Sequence, residues 1–435
     1  MELSDPDASA TTSSRALPAE SSSSGGRLGR SLSWTALGEL IFAAAFLGVL
    51  VVLGNLGSAR VLGAFTLSRA VVLPAILLTN LHLRPVYVVE PPGRWELGTF
   101  LALRTLSWPV WLVVITAVSW FAGYDAEILS MLGAMALFCF AESLGDICIA
   151  ATQRAQRMRR FGISRAARGV LMLAGVVAGL MVADDGVLGC WVGAVATLIF
   201  TFTYDISTLK PFGGFCPDFS RADVGALFRR TLPAGLAAGS LTLAQGVPAY
   251  ALEHLHDLEV VGRFGALGAI IAVGGVINVV VGNAAIPQLA RHAWTDRRAF
   301  VLLLFRLCLL VSAAHGAVIT ALWLGGPLYL QAFGADFMGM ETELLLAGCV
   351  GLVAGLTNIL SQAVTATGAF RAQLFASASA IVPACLLASW WTRDAPLRGA
   401  LAVLAAVAVY RAACFVVLLS RPSRPSASHR QGDDI

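Results

Sequence analysis

The chain has 435 residues, of which 57% are hydrophobic and only 13% are charged, and its formal net charge is +4. Soluble proteins carry about 25% charged residues, so this composition excludes a soluble globular protein and indicates a polytopic membrane protein. The net charge gives no reason to expect a nucleic-acid partner. The eight cysteines show no CxxC or ligand-like spacing, so we expect neither a metal nor any other cofactor.

Both ends of the chain are polar. Residues 1–30 are rich in serine and predict a disordered cytoplasmic tail. This segment is no signal peptide, because it begins with acidic residues and the first apolar run comes late and is long. Residues 421–435 predict a second cytoplasmic tail.

Windows of about 20 apolar residues predict twelve membrane-spanning helices. They lie near residues 34–55, 61–83, 99–121, 127–150, 164–183, 187–207, 231–252, 261–285, 299–322, 342–365, 372–391 and 397–420. We therefore predict an all-α protein with an N-lobe over 31–208 (helices 1–6), a cytoplasmic linker over 209–230 and a C-lobe over 231–420 (helices 7–12).

Positive charge is densest within residues 140–169, between two apolar helices. Each arginine in hydrocarbon costs about 2.5–3.5 kcal/mol, so we expect this run to face water on the cytoplasmic side. The predicted loops on that side carry most of the arginines, which indicates an inner-membrane protein with both termini in the cytoplasm. The opposite side receives Arg60, Arg263, Arg393 and Arg398.

The two halves of the chain resemble each other. VLGAF at 61–65 opens the second span and VVGRF at 260–264 opens the eighth, and Arg104 and Arg306 occupy similar places in the third and ninth spans. Each half has six helices, an even number, so both halves begin on the same side of the membrane and the repeats are parallel. Parallel repeats predict two six-helix lobes around a central cavity.

Cationic and amide side chains cluster in the second span. Arg69, Asn80 and Arg84 fall near one face of a helix at 100° per residue. This face predicts the wall of an anion-binding cavity, with Asn80 as a polar lining residue. The alternative is structural pairing of the arginines with carboxylates of neighbouring spans.

Three further arginines are candidate ligands for an anionic headgroup. Arg104 and Arg306 have symmetric positions near the cytoplasmic side, where snorkelling to the interface is the alternative. Arg263 begins the eighth span, either at the outer mouth of the cavity or among the lipid headgroups.

Glu142 and Asp146 lie four residues apart on one helical face. Carboxylates at membrane depth need a partner or a cavity. They are candidates for ion coupling, and the alternative is ion pairing with Arg84, Arg104 or the arginines of the following loop.

Uncharged polar side chains mark other spans. Asn358 and Gln362 share a face of the tenth span and Gln245 lies in the seventh. Such amides either bridge helices or line the cavity and contact sugar hydroxyls. His315 has no acidic neighbour in sequence and is interpreted as a packing residue.

Several stretches resemble bacterial polysaccharide-export flippases, the oligosaccharide-lipid branch of the multidrug/oligosaccharidyl-lipid/polysaccharide exporter superfamily. Residues 142–169 are similar to the fourth-to-fifth helix region of that family, and residues 62–84 are similar to its second helix. Residues 231–250 are similar to its seventh helix and residues 261–291 to its eighth. The resemblance implies a flippase with two six-helix lobes and a cationic cavity for the diphosphate of its substrate. The resemblance implies that Arg69, Arg84 and Arg104 bind this diphosphate, and it implies the same less directly for Arg263 and Arg306.

The leading hypothesis is a flippase, not an enzyme, that moves undecaprenyl-diphosphate-linked oligosaccharide by alternating access. Its partners would be the lipid-linked glycan, the bilayer and polysaccharide polymerase or assembly proteins, and we expect a monomer. A drug/cation antiporter would need carboxylates in the cavity, and a glycan polymerase or ligase would need a large outer loop. A transport-inactive scaffold is a further alternative.

Overall fold

The computed structural model describes residues 24–89, 95–367 and 369–420. The remainder of the predicted N-terminal tail, residues 1–23, and the predicted C-terminal tail, 421–435, lie outside the described residues. Within the described part the regular elements are all helices, which confirms the predicted all-α class.

The first half contains seven helices. They are α1 (Ser24–Val52), α2 (Ala59–Asn80), α3 (Leu83–Val89), α4 (Leu97–Ala122), α5 (Ala126–Arg154), α6 (Met158–Ala183) and α7 (Gly186–Phe200). A π-helical turn, Leu53–Gly57, extends α1, and the turns Thr201–Asp205 and Ile206–Phe212 extend α7.

The second half also contains seven helices. They are α8 (Arg221–Leu255), α9 (Leu258–Thr295), α10 (Arg297–Phe333), α11 (Glu341–Ala366), α12 (Phe370–Ser379), α13 (Ile381–Asp394) and α14 (Pro396–Ser420). The short α12 and α13 together form one predicted span, and the short turn Ala335–Phe337 follows α10.

Eleven helical segments of the described chain are long and apolar enough to cross a membrane. The remaining predicted span, 231–252, lies within the 35-residue helix α8. The chain is therefore a multi-pass membrane protein, and the twelve predicted spans agree with the structure.

Three predicted boundaries differ from the structure. Helix α1 begins at Ser24, within the predicted tail 1–30, and α8 begins at Arg221, within the predicted linker 209–230. Helix α6 begins at Met158 and not near residue 164. This earlier start adds Arg159 and Arg160 to the helix, whereas Arg165 and Arg168, which meet carboxylates of other elements, lie inside the predicted span.

The helices pack in the same order in both halves. In the N-lobe α2 packs on α5, α5 on α7 and α1 on α6, and in the C-lobe α9 packs on α11, α11 on α14 and α8 on α12 and α13. This equivalence confirms the predicted pair of repeated six-helix lobes.

The lobes meet mainly along α2, which packs on both α8 and α9. Glycines allow the backbones to touch near the starts of α2 and α9, on the predicted outer side. A methyl group on Gly63 would lie 1.8 Å from the Leu258 carbonyl oxygen, and one on Gly262 would lie 1.9 Å from the Ala59 carbonyl oxygen. Neither methyl group fits without moving backbone, so these glycines are required for closure of the seam between α2 and α9.

We expect Gly262→Ala to hold this seam open, because the added methyl group meets rigid backbone. Spin labels at the exposed positions Leu56 and Glu259 should then report a longer distance than in the parent protein. Gly268→Ala is the control on the same helix, since open space surrounds Gly268. Equal distances in parent and Gly262→Ala proteins would contradict this interpretation.

Candidate ligand cavity between the lobes

A cavity of about 420 Å³ lies between the lobes. Its wall is largely apolar, and the N-lobe supplies all of its charged side chains. The lining residues are Glu39, Phe42, Ala43, Phe46, Leu47, Leu50, Arg69, Leu73, Met135, Phe138, Cys139, Glu142, Arg165, Ala269, Ala272, Val273, Gly275 and Asn358. The predicted central cavity is thus confirmed. Arg69, a predicted headgroup ligand, and Asn358, a predicted lining residue, lie on its wall together with Glu142, the candidate for ion coupling.

Arg69 presents a positive charge to the cavity without a carboxylate partner. Its guanidinium carbon lies 4.7 Å from the centre of the Phe46 ring, which provides a cation–π contact. Within the described part of the chain, no Asp or Glu oxygen lies within ion-pair distance of Arg69. An anion entering the cavity would therefore meet an uncompensated guanidinium group.

Arg165 is the second cation of the cavity, and two carboxylates hold it. Its side chain lies 3.1 Å from Glu39 and 2.8 Å from Glu142, and the guanidinium carbon lies 3.9 Å from the Phe42 ring centre. Arg165 was predicted to face cytoplasmic water; that prediction is wrong because α1 and α5 supply counter-charges inside the bundle. With Arg69, these residues give the cavity wall a formal charge of zero.

Arg168, one turn after Arg165, forms a buried ion pair with Asp205. Their oxygen and nitrogen atoms are 2.7 Å apart, and the side chains are 1% and 2% exposed. Gly145 makes room for this guanidinium group, since a methyl group there would lie 1.6 Å from Nη2. The prediction that Arg168 faces water is likewise wrong, because Asp205, in the turn that extends α7, supplies its counter-charge inside the bundle.

A separate polar cluster occupies the interior of the N-lobe. Asp146 lies 3.3 Å from Arg84 and 3.7 Å from Arg104. Arg104 also donates to the side-chain oxygens of Asn80 and Ser143. This arrangement is the ion pairing given as the alternative to ion coupling for Asp146, and Glu142 follows the same pattern through Arg165.

The structure places Arg84, Arg104 and Asn80 outside the cavity wall. Arg104 is completely buried, and Arg84 donates to Gln153 as well as to Asp146. The predicted roles of Arg84 and Arg104 as headgroup ligands and of Asn80 as a lining residue stay predictions, and the structure adds that both arginines pair with Asp146.

The other predicted ligands are scattered. Arg263 is half-buried at the start of α9, and Arg306 is exposed on α10. Arg306 shares its helical face with Phe305 and Leu309, which are 65% and 62% exposed. This apolar outer face fits snorkelling to the interface, and the repeat partners Arg104 and Arg306 have different surroundings.

The predicted amides divide between the cavity and its surroundings. Asn358 lines the cavity, and Gln362 lies behind it and donates to Asn358 Oδ1 over 3.5 Å. Gln245 is exposed on α8 and is not part of the wall. The sugar-binding role of these residues stays a prediction.

Sequence reasoning missed the contribution of Glu39 and Arg165 to the cavity. Glu39 lies within the apolar first helix, and a carboxylate in such a window is itself a signal of a buried partner. The partner was missed because Arg165 was grouped with an arginine-rich run that was expected to face cytoplasmic water.

Breaking the buried ion pair should destabilise the N-lobe. We expect Asp205→Asn to cost about 3–5 kcal/mol, because Arg168 would keep a buried charge without a counter-charge. Thermal unfolding in detergent measures the loss. Arg398→Gln is the control, because Arg398 in the Arg398–Glu343 pair is 60% exposed. Exposed ion pairs contribute about 0–1 kcal/mol to stability. Equal melting temperatures for the two variants would contradict the prediction.

No protein-family model matches the chain. The chain is 20% identical over 330 residues to the capsular polysaccharide biosynthesis protein CapF of Staphylococcus aureus, covering 74% of this chain and 82% of CapF.

Solved structures share its fold. The lipid II flippase MurJ in an inward closed conformation superposes with a TM-score of 0.69 at 11% identity, over 89% of this chain and 87% of MurJ. An inward-facing multidrug resistance transporter of the MATE family, within the MOP superfamily, gives 0.60 at 13% identity, over 90% and 95% of the two chains. A variant of the Vibrio cholerae MATE transporter VcmN gives 0.62 at 14% identity, over 91% and 96%. The chain thus has the fold of MurJ and the MATE transporters, which confirms the predicted likeness to this superfamily at the level of the fold.

Proposed function

We propose that this chain is a flippase of the bacterial inner membrane, with cytoplasmic termini, that moves an undecaprenyl-diphosphate-linked oligosaccharide for cell-surface polysaccharide synthesis. The observation that carries the proposal is the uncompensated Arg69 guanidinium group on the wall of the cavity. The fold of a lipid II flippase and the similarity to a capsular polysaccharide biosynthesis protein support it.

The diphosphate of the substrate binds at Arg69. Hydrogen bonds between a guanidinium group and phosphate oxygens are charge-assisted and stronger than neutral ones, and the apolar wall limits screening by water. Arg165 offers a second contact, for which the anion competes with Glu39 and Glu142. Binding is thereby strong enough to select an anion and weak enough to release it.

The remaining parts of the substrate meet the apolar wall and the bilayer. Phe42, Phe46 and Phe138 offer aromatic faces to sugar rings, and Asn358 offers an amide to sugar hydroxyls. The lipid tail stays in the bilayer. Transport follows as the lobes rock about α2, with the glycine seam closing the outer side in the state that the structure describes.

No nucleotide-binding loop and no hydrolytic cluster occurs in the sequence, so we propose transport without catalysis. The protein acts as a monomer beside polysaccharide polymerase or assembly proteins, and it has no nucleic-acid partner.

A drug/cation antiporter is the second candidate, because Glu39 and Glu142 place two carboxylates on the same wall. A cationic drug would bind to these carboxylates. Neutralising Glu39 distinguishes the two functions. A cationic drug would lose one of its carboxylate ligands, whereas an anion would gain access to Arg165, which Glu39 no longer holds.

Arg69→Ala should abolish glycan export while the protein remains in the membrane. Loss of a charge-assisted hydrogen bond costs about 1.5–3 kcal/mol, which corresponds to a loss of headgroup affinity of about 10–150-fold. The assay is complementation of a strain that lacks the gene, with membrane abundance measured in parallel. Arg306→Ala is the control on the outer face of α10 and should export normally; full export by Arg69→Ala would remove the proposal.

Glu39→Gln should preserve or raise the affinity for undecaprenyl diphosphate, because one competitor for Arg165 disappears. The affinity is measured on purified protein in nanodiscs, beside that of a cationic drug. Loss of drug binding together with weaker diphosphate binding would instead favour the antiporter.

A further inference from the structure

Four exposed cations lie at one end of the N-lobe without a counter-charge. Arg157 directly precedes α6, Arg159 and Arg160 lie in the first turn of α6, and Lys210 lies in the turn Ile206–Phe212 that extends α7. All four residues are exposed. Within the described part of the chain none of them lies at ion-pair distance from a carboxylate. These four residues are called the N-lobe basic surface below.

Exposed arginines at the opposite end of the lobes do have counter-charges. Arg60 lies 3.1 Å from Glu127, and Arg398 lies 2.7 Å from Glu343. No such partner is available near the N-lobe basic surface, because helix α6 and the turn that carries Lys210 contain no Asp or Glu. The positive charge of this surface is therefore not a feature of every exposed arginine in the protein.

The carboxylate nearest to Lys210 in sequence is enclosed. Asp205 directly precedes the turn that carries Lys210, but its side chain is 2% exposed and lies 2.7 Å from Arg168. The Arg168 guanidinium group already balances its charge. The four exposed cations thus stay unbalanced.

Aromatic rings hold two of the guanidinium groups in place. The guanidinium carbon of Arg157 lies 5.8 Å from the centre of the Phe212 ring, and that of Arg159 lies 5.8 Å from the Trp34 ring. A contact with a ring uses the flat face of a guanidinium group and leaves the N–H groups at its edge free. Such an edge matches two oxygens of a phosphate group.

Close backbone contact fixes the start of α6 beside Trp34. A methyl group on Gly162 would lie 2.4 Å from the Trp34 carbonyl oxygen, and one on Gly38 would lie 2.6 Å from the Gly162 Cα atom. Helices α1 and α6 therefore touch less than one turn from Arg159. Because this junction is rigid, the guanidinium group of Arg159 is positioned before any ligand arrives.

Lipid-facing side chains lead to the N-lobe basic surface. On α7 and the π-helical turn after it, Val195, Ile199 and Phe202 are 43%, 58% and 53% exposed. Large apolar side chains exposed on a membrane-spanning helix face lipid. Lys210 ends the same helical run, just past the predicted span 187–207. The surface thus lies at the level of phospholipid headgroups, which favours a lipid over a soluble partner.

We propose that the N-lobe basic surface binds the headgroup of an anionic phospholipid, phosphatidylglycerol, from the leaflet at this end of the lobe. The lipid phosphate accepts hydrogen bonds from the free edges of Arg157 and Arg159, and Arg160 and Lys210 add positive charge. Each cation near an anionic headgroup strengthens binding by about 5-fold. The acyl chains lie along the exposed apolar side chains of α7.

This site is separate from the cavity that Arg69 lines, since the cavity wall includes none of its four cations. The lipid is therefore a resident one and not the transported substrate. Arg157 and Arg159 belong to the α6 end of the site, and Lys210 belongs to the segment that leads into the C-lobe. A phosphate held by both parts ties the start of the connection between the lobes to the N-lobe.

The first test measures, by native mass spectrometry, how purified full-length protein binds phosphatidylglycerol and phosphatidylcholine, whose headgroup has no net charge. Arg157→Gln combined with Arg160→Gln should lower the affinity for phosphatidylglycerol by about 10-fold or more and leave that for phosphatidylcholine unchanged. Arg306→Gln combined with Arg398→Gln is the charge-matched control, because both arginines are exposed elsewhere, and it should bind like the parent. Equal affinities of the two double variants for phosphatidylglycerol overturn the proposal.

The second test locates the headgroup, because Lys210 is the only lysine in the sequence. Reductive methylation with ¹³C-formaldehyde keeps its charge and gives one lysine signal, identified by its loss in Lys210→Gln. In phosphatidylcholine nanodiscs this signal should shift saturably as phosphatidylglycerol is added. In Arg157→Gln the midpoint should move to about 5-fold more phosphatidylglycerol. A shift without saturation, or one with the parent midpoint in Arg157→Gln, overturns the proposal.

The cavity variant separates this proposal from the proposed function. Arg69→Ala should bind phosphatidylglycerol like the parent protein, because Arg69 lies on the cavity wall. The export predictions can therefore fail while this one holds, and the reverse. Loss of phosphatidylglycerol binding in Arg69→Ala would overturn the surface site, since the lipid would then bind in the cavity.

Discussion

The balance of buried charge in the N-lobe determines the rest of the structure. Five guanidinium groups and four carboxylates lie in the bundle, and the geometry pairs every carboxylate with at least one arginine. The five cations are Arg69, Arg84, Arg104, Arg165 and Arg168, and the four anions are Glu39, Glu142, Asp146 and Asp205. One arginine of the five therefore has no carboxylate partner. It is Arg69, whose unpaired guanidinium group lies on the cavity wall, although the formal charge of that wall is zero.

This distribution gives the two groups of arginines different roles. Arg104 and Arg168 are enclosed by protein, and their ion pairs stabilise the lobe because removal of either partner strands a buried charge. Arg69 costs free energy while it has no counter-charge, and in the proposed flippase an anionic headgroup would offset that cost. The aromatic face of Phe46 holds the guanidinium group in place meanwhile. Under the proposal, a cation that is uncompensated until the ligand arrives would provide selectivity for anions without a rigid binding pocket.

Much of the fold could be predicted from the sequence, because lipid imposes a continuous apolar window of known length on each span. The spacing of VLGAF and VVGRF indicated the repeat. Arg69 was expected on the wall of a cavity and lies there, although Glu142 lies on the same wall. The pairing of Arg84 and Arg104 with Asp146 depends on how three helices rotate about their axes, which no spacing rule determines. Arg165 and Arg168 were expected to face water because their carboxylates lie on α1, α5 and the turn at Asp205, distant in sequence.

The central claim is that Arg69 is uncompensated, and supplying a counter-charge tests it most directly. Leu73 lies one turn after Arg69 on α2 and lines the same cavity, so Leu73→Glu should pair with the guanidinium group. The affinity for undecaprenyl diphosphate, measured by native mass spectrometry on purified protein, should fall by about 10-fold or more in Leu73→Glu and remain near the parent value in the uncharged Leu73→Gln. Equal affinities in the two variants would contradict the account, because Arg69 would then not be the group that the anion meets.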